Sequence, residues 1–389
     1  MIKRSITPYL KKAAKEFGVV SLTGPRQSGK TTLVKDTFPN HQYVNLENLV
    51  ELNAIREDPA SFINNVEGGI IIDEVQKYPE LLSYIQVSID EDFKPGKFII
   101  TGSQNLLLSE KVSQSLAGRV AVLTLFPLTI DEMQDHKILP TDYREALLKG
   151  FYPGLHDKKQ DVRTYYSGYV RTYVERDVRN IKNIGDLASF ERFLQLLAGR
   201  VGQLVNLTQL GNVAGVSHKT VEAWLSILEA SYIIFRLQPY YDNFGKRIIK
   251  SPKIYFTDVG LLAYLLGIDS VKELQNHFAL GGLFENMVVM DLYKQKLNIG
   301  SSSKVYFFRD SSGNEVDLLL DKGSEITPIE IKSSATFNTE FLGGLRYFKG
   351  LESEQFKVGN GFVVYTGDME SDFSDNSLVN WRSIGEIGV

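Results

Sequence analysis

Consecutive apolar positions, not strict alternation, mark the first third of the chain. Val19–Leu22, Gln42–Asn45, Gly69–Ile72, Lys97–Thr101 and Val120–Leu125 read as short strands with helical stretches between them. Strands that are apolar on both faces and separated by helices predict a parallel sheet covered on each side. From about residue 131 to 185 the pattern turns helical and charged, with Tyr165, Tyr166, Tyr169 and Tyr173 recurring at helical spacing. Beyond it, Ser217 is a good N-cap, and Val221, Leu225 and Leu228 follow at i, i+4 and i+7. Together with Leu207–Gly215 this predicts helix, glycine-containing turn, helix. The last stretch returns to mixed α/β patterning, with Ser/Gly-rich turns at Gly300–Ser303 and Ser311–Gly313. The expected fold class is α/β in four parts: 1–130 a parallel-sheet core, 131–185 a helical lid, 186–268 a helix–turn–helix with a hairpin, and 269–389 a second α/β domain.

Composition narrows the chemistry. With 389 residues, 43% hydrophobic and 23% charged, the chain can bury a core in each of several domains. A formal charge of −4 supplies no global basic field, so any contact with nucleic acid must be a local patch. Cysteine is absent, which excludes disulfides, thiolate metal sites and a cysteine nucleophile. The five histidines are scattered, without HExxH spacing, so a histidine zinc site is not expected. No apolar run approaches the ~20 residues of a membrane span, and the N-terminus carries lysines without an apolar stretch behind them. A cytoplasmic protein without membrane contact is expected.

The sharpest signal is Gly24-Pro25-Arg26-Gln27-Ser28-Gly29-Lys30-Thr31, followed by Thr32, between a strand and a helix. It fits G-x-x-x-x-G-K-[ST], a loop whose backbone N–H groups turn towards phosphate oxygens at a helix N-terminus. Lys30 would reach the terminal phosphates and Thr31 would hold Mg²⁺ through its hydroxyl. Downstream, the apolar strand Gly69–Ile72 ends in Asp73 and Glu74. Asp73 suits the Mg²⁺ shell, and Glu74 suits activation of the attacking water. No guanine-specifying N-K-x-D is present, so ATP is the expected nucleotide.

Two more segments extend the pattern. Phe98–Thr101 leads into Gly102, Ser103 and Gln104; at this rank the segment resembles the sensor-1 strand of AAA-type ATPases, which implies Ser103 or Gln104 near the terminal phosphate, the alternative being an ordinary strand exit. Ser115-Leu116-Ala117-Gly118-Arg119 places an arginine before the last core strand, either as a finger reaching a neighbouring subunit's nucleotide or as an ion-paired surface residue. In this order, GPRQSGKT, GGIIIDE, FIITGSQ and SLAGR resemble a family of bacterial and archaeal AAA-type ATPases that continues into a C-terminal domain of unknown function. The resemblance implies ATP and Mg²⁺ as cofactors, ATP hydrolysis with Lys30, Glu74, Arg119 and Ser103 taking part, and assembly into a homo-oligomeric ring.

The later segments suggest what turnover would act on. The helix–turn–helix resembles winged domains that place their second helix in the DNA major groove, with His218 and Lys219 at its exposed first turn. Arg236, Lys246, Arg247, Lys250 and Lys253 follow against a single acid, Asp242, and read as a basic wing; a protein-contact role remains the alternative. DNA, branched or single-stranded, is thus an expected partner. In the C-terminal part, Glu285 lies on an amphipathic helix with Leu283, Phe284, Met287 and Val288 on its apolar side, Asp317 on a strand, and Glu330 and Lys332 on one face of the next. This order resembles restriction-endonuclease-like nucleases, which implies a metal held by Glu285, Asp317 and Glu330 with Lys332 beside it. A buried ion-paired network is the bland alternative. The leading expectation is an ATPase acting on DNA; the others are an ATP-controlled Mg²⁺-dependent nuclease and a nucleotide-dependent switch for a protein partner.

Overall fold

The structure is a computed structural model that describes residues 2–102, 116–158, 160–174, 187–240, 251–353, 356–373 and 375–389. Contacts divide the chain into two compact units. The first takes in Met1–Leu128 and two short returns of the chain, Ala230–Tyr232 and Leu297–Gly300; the second takes in Thr129–Glu229, Ile233–Lys296 and Ser301–Val389.

The first unit is built on β1 (Val19–Thr23), β2 (Gln42–Asn45), β3 (Ile70–Asp73), β4 (Phe98–Thr101) and β5 (Val120–Thr124). All pair in parallel, in the order β2-β3-β4-β1-β5. Alternate residues point to opposite faces and build two separate cores. Val20, Leu22, Ile71 and Ile99 pack with Leu10, Leu33 and Val34 from the helices Thr7–Glu16 and Lys30–Thr37, and with Ile6 just before the first of them. Val19, Ile70, Ile72, Phe98 and Ile100 pack with Leu52, Ile55, Leu81 and Ile85 from the helices on the other face. The continuous apolar runs of the sequence are explained by this double cover.

The two returns are integral to this unit. Tyr232, at φ 57, donates its hydroxyl to Thr23 Oγ1 at 2.8 Å and meets Phe126 edge-on at 5.7 Å. At Gly300, φ is +66 and a Cβ would lie 2.5 Å from the Tyr9 ring, so only glycine fits this close pass.

In the second unit, the helix Leu207–Ala214 ends on Gly215 at φ 75, and Ser217 Oγ accepts the Thr220 N–H to start the helix His218–Ala230. Antiparallel β6 (Ile234–Leu237) and β7 (Lys253–Phe256) follow. A six-stranded sheet then comprises β8 (Lys304–Arg309), β9 (Glu315–Asp321), β10 (Ile326–Lys332), β11 (Gly361–Tyr365), β12 (Ser371–Phe373) and β13 (Asn376–Asn380), in the order β12-β13-β11-β10-β9-β8. β8, β9 and β10 are antiparallel, whereas β11 joins β10 in parallel after the helix Gly343–Lys349.

The helix carrying Glu285, Leu280–Asn298, differs from expectation. It is not one-sided: Leu283, Phe284, Met287, Val288, Val289, Met290 and Leu292 are all buried, along with the polar Asn286, Asp291, Lys294 and Asn298. A helix buried around most of its circumference has little solvent face to keep polar.

Candidate active site

Sheet order brings the phosphate-loop motif and the acidic strand end together. β4 separates β1 from β3, so the carboxyl ends of the three strands lie side by side. After β1 the loop turns through Gly24 at φ 140, Gln27 at φ 62 and Gly29 at φ 95. Gly24 runs so close to the neighbouring backbone that a Cβ would lie 2.2 Å from Leu125 O. Beneath the loop, the buried Arg4 donates to Ser28 O at 2.7 Å and Phe126 O at 2.6 Å.

Lys30 is buried and folds back onto the loop, donating to Gly24 O at 3.0 Å and Pro25 O at 2.8 Å. Burial lowers its pKa from 10.5 to about 8, against the carboxylates of Glu74 and Asp73, which raise it. The Ser28 hydroxyl is buried without a hydrogen-bond partner among the described residues. Arg26 is half-buried, while Gln27 and Thr32 are exposed.

Asp73 gathers hydroxyl groups. Thr31 Oγ1 donates to its Oδ2 at 2.7 Å, Tyr43 Oη to the same oxygen at 2.9 Å, and the Thr101 hydroxyl to Oδ1. Burial, together with Asp73, raises the Tyr43 phenol above its ordinary range, so it remains a donor. Glu74 follows in the left-handed region at φ 57, strain of the kind that clusters at functional sites. Its carboxylate accepts from Gln76 Nε2, and burial raises its pKa while Lys30 opposes the shift.

A nucleotide with Mg²⁺ fits this set. Among the described residues the buried ammonium is satisfied only by loop carbonyls and the Ser28 hydroxyl lacks a partner; Thr31 and Asp73 converge as a hydroxyl–carboxylate pair would around a hard cation. The sequence reading missed Arg4, Tyr43 and the hydroxyl of Thr101 as contributors. Their roles depend on sheet order and leave no local signature. Ser103 lies outside the described residues. Arg119 is ion-paired with Asp90, its Nη2 donating to Oδ2 at 3.0 Å and its Nη1 to Ala117 O at 3.1 Å.

Among the candidate DNA residues, His218 and Lys219 are exposed at the start of their helix, and Lys246, Arg247 and Lys250 lie outside the described residues. Two of the expected wing cations are committed elsewhere. Arg236 pairs with Glu222 at 2.8 Å and Glu229 at 2.6 Å. Lys253, only 2% exposed, pairs with Glu285 at 3.1 Å and Glu315 at 2.6 Å.

The C-terminal carboxylates do come together, but around lysines. Lys332 Nζ donates to Glu330 at 2.6 Å and Asp317 at 3.4 Å, and Tyr255 Oη donates to Glu285 at 2.6 Å. Burial raises Glu285 and brings Glu330 up to about 8, whereas Lys332 and Lys253 overcome burial to hold Asp317 low. Burial also works against the Lys253 ammonium, yet Tyr255 and the carboxylates of Glu285, Asp317 and Glu315 keep its pKa well above the ordinary value. Among the described residues no group of three or more His, Asp or Glu side chains is disposed to hold a metal ion. Also among the described residues, no helix is long and apolar enough to cross a membrane.

Comparison with known proteins agrees with the first unit's geometry. Residues 16–134 match a family described as AAA domain; residues 140–272 and 280–384 match two domains of unknown function, DUF8612 and DUF4143. An uncharacterised protein of Mycobacterium tuberculosis is 32% identical over 337 residues, covering 86% of this chain and 74% of its own. One from Haemophilus influenzae is 23% identical over 390 residues, covering 89% and 92%. Among solved structures, the Walker-type ATPase PABY2304 of Pyrococcus abyssi is similar at a TM-score of 0.47 and 15% identity, covering 68% of this chain and 96% of that one. At 32% identity over most of both chains, the protein belongs to the same family as the mycobacterial protein, and its residues 16–134 form an AAA domain of the P-loop ATPase kind.

Proposed function

We propose that this protein hydrolyses ATP and couples turnover to DNA. The observation carrying the ATPase reading is the convergence of Lys30, Thr31, Asp73 and Glu74 at the carboxyl ends of β1 and β3. The loop N–H groups and Lys30 would bind the phosphates, with Thr31 and Asp73 holding Mg²⁺. That ion would neutralise charge on the transferring phosphoryl group. Tyr43 and Thr101 orient Asp73, Arg4 fixes the loop from below, and the raised pKa of Glu74 suits it to take a proton from the attacking water.

The DNA part is supported by the helix–turn–helix geometry, the antiparallel pair behind it, and the exposed His218 and Lys219. We read these together as a winged helix. The C-terminal helix–β8–β9–β10–helix–β11 succession likewise supports a nuclease-like fold, read as a fold alone. Assembly as a ring belongs to the same proposal, with Arg119 leaving Asp90 to reach a neighbour's nucleotide.

One assay tests the reading: steady-state ATP turnover with and without single-stranded, duplex and branched DNA. Lys30→Ala should abolish turnover by several orders of magnitude, and Glu74→Gln should bind ATP without releasing phosphate. Unchanged turnover in purified Lys30→Ala would sink the site. Turnover indifferent to every DNA would remove the DNA half and favour a switch acting on a protein partner.

A further inference from the structure

Lys253 is a residue whose place in the molecule its sequence context misstates. It stands in a basic stretch, yet its ammonium lies deep in the second unit between two carboxylates from different elements. Glu285 comes from the helix Leu280–Asn298 and Glu315 from the start of β9. Tyr255, two residues along the same strand, donates to the very oxygen of Glu285 that Lys253 touches. Arg309 holds the other oxygen of Glu315 at 2.8 Å, and the Phe307 ring lies 5.5 Å from the ammonium. Asp317 and Glu330 have a cation of their own in Lys332.

The backbone takes up part of the space that remains. At Gly202 a Cβ would sit 3.1 Å from both oxygens of Glu285, and at Gly344 a Cβ would sit 2.2 Å from a Glu330 oxygen. A divalent ion needs about six oxygen ligands at about 2 Å and usually retains water among them. Here the carboxylate oxygens face ammonium, guanidinium and phenol donors, and glycine main chain runs close to Glu285 and Glu330.

We propose that this centre is an internally neutralised clasp that takes no metal: the Lys253 ammonium serves as its tethered cation and binds β7 to the helix Leu280–Asn298 and to β9. The same carboxylates that resemble a nuclease site act as the anionic half of a fastening between the DUF8612 and DUF4143 segments. This inference stands independently of the ATPase reading.

The test uses the full chain without nucleotide. Mn²⁺ is titrated into wild type and Glu330→Gln, with free Mn²⁺ followed by electron paramagnetic resonance. The isotherms should coincide, because any Mn²⁺ taken up near Asp73 is common to both. Loss of one bound Mn²⁺ in Glu330→Gln would overturn the proposal. The clasp is read separately through Tm. Lys253→Met should lower Tm, and adding Glu285→Gln should recover at least half of the loss, since the stranded carboxylate is removed. Losses that simply add would overturn the coupling. Should Lys253→Met fail to fold, the Mn²⁺ comparison still decides, as it leaves Lys253 untouched.

Discussion

At Lys30 an ammonium is kept in a place that disfavours charge until a polyphosphate arrives. Burial takes its pKa from 10.5 to about 8. Below about pH 8 both folded and unfolded chains hold this proton, and the cost of burying it is fully present. Between about 8 and 10.5 the unfolded chain binds the proton that the folded one has lost, so stability rises with pH through that window, by roughly 3 kcal/mol in all. Phosphate oxygens would reverse the shift. Nucleotide binding at about pH 8.5–9 should therefore take up a proton, visible as a calorimetric enthalpy that varies with buffer ionisation heat, and affinity should weaken as pH rises above about 8. Absence of proton uptake would contradict the buried-ammonium account. Asp73 offers a second residue-scale test. Tyr43→Phe deletes one of two hydroxyls on Oδ2 and should cost about 1 kcal/mol in urea unfolding, while leaving the Thr31 contact intact.

Among the elements, the helix Val259–Leu265 shows how one capping side chain can organise several others. Asp258 accepts from Leu261 N at 3.0 Å, from Phe151 N at 2.8 Å and from the Tyr166 hydroxyl at 2.6 Å. Asp258→Ala should cost on the order of 3 kcal/mol, because three donors lose their partner at once; a Tm within a few degrees of wild type would show that they find others. Such hubs also explain what could be read in advance. The loop Gly24–Thr31 was legible because its chemistry is contiguous, and the central strands β1, β3 and β4 because double burial writes itself as apolar runs. Helix Leu280–Asn298 was misjudged because enclosure erases the polar face that periodicity relies on. Lys253 was misjudged because a local charge count cannot see Glu285 and Glu315, 32 and 62 positions further along. Arg4 and Tyr43 were invisible for a similar reason: each acts on a distant backbone carbonyl or carboxylate that only the strand order brings near.

On the scale of the whole molecule, the first unit is completed by later chain. Residues Ala230–Tyr232 and Leu297–Gly300 return to it, and the Tyr232 hydroxyl reaches Thr23, the last residue before the phosphate loop. A fragment ending at Leu128 would thus leave the Thr23 hydroxyl and the Phe126 ring without Tyr232, and the Tyr9 ring without its cover at Gly300. Purified 1–128 should bind the dye ANS and exchange the amides of β1 and β5 far faster than the full chain does; a sharp thermal transition at the full-length Tm would contradict this. The consequence reaches inheritance. A nucleotide domain whose closing pieces are encoded about a hundred and more residues downstream would lose them if traded between genes as a cassette. Recombination after Leu128 would transfer the phosphate loop without the tyrosine that braces it, so the head and the body of this chain are expected to travel through evolution together.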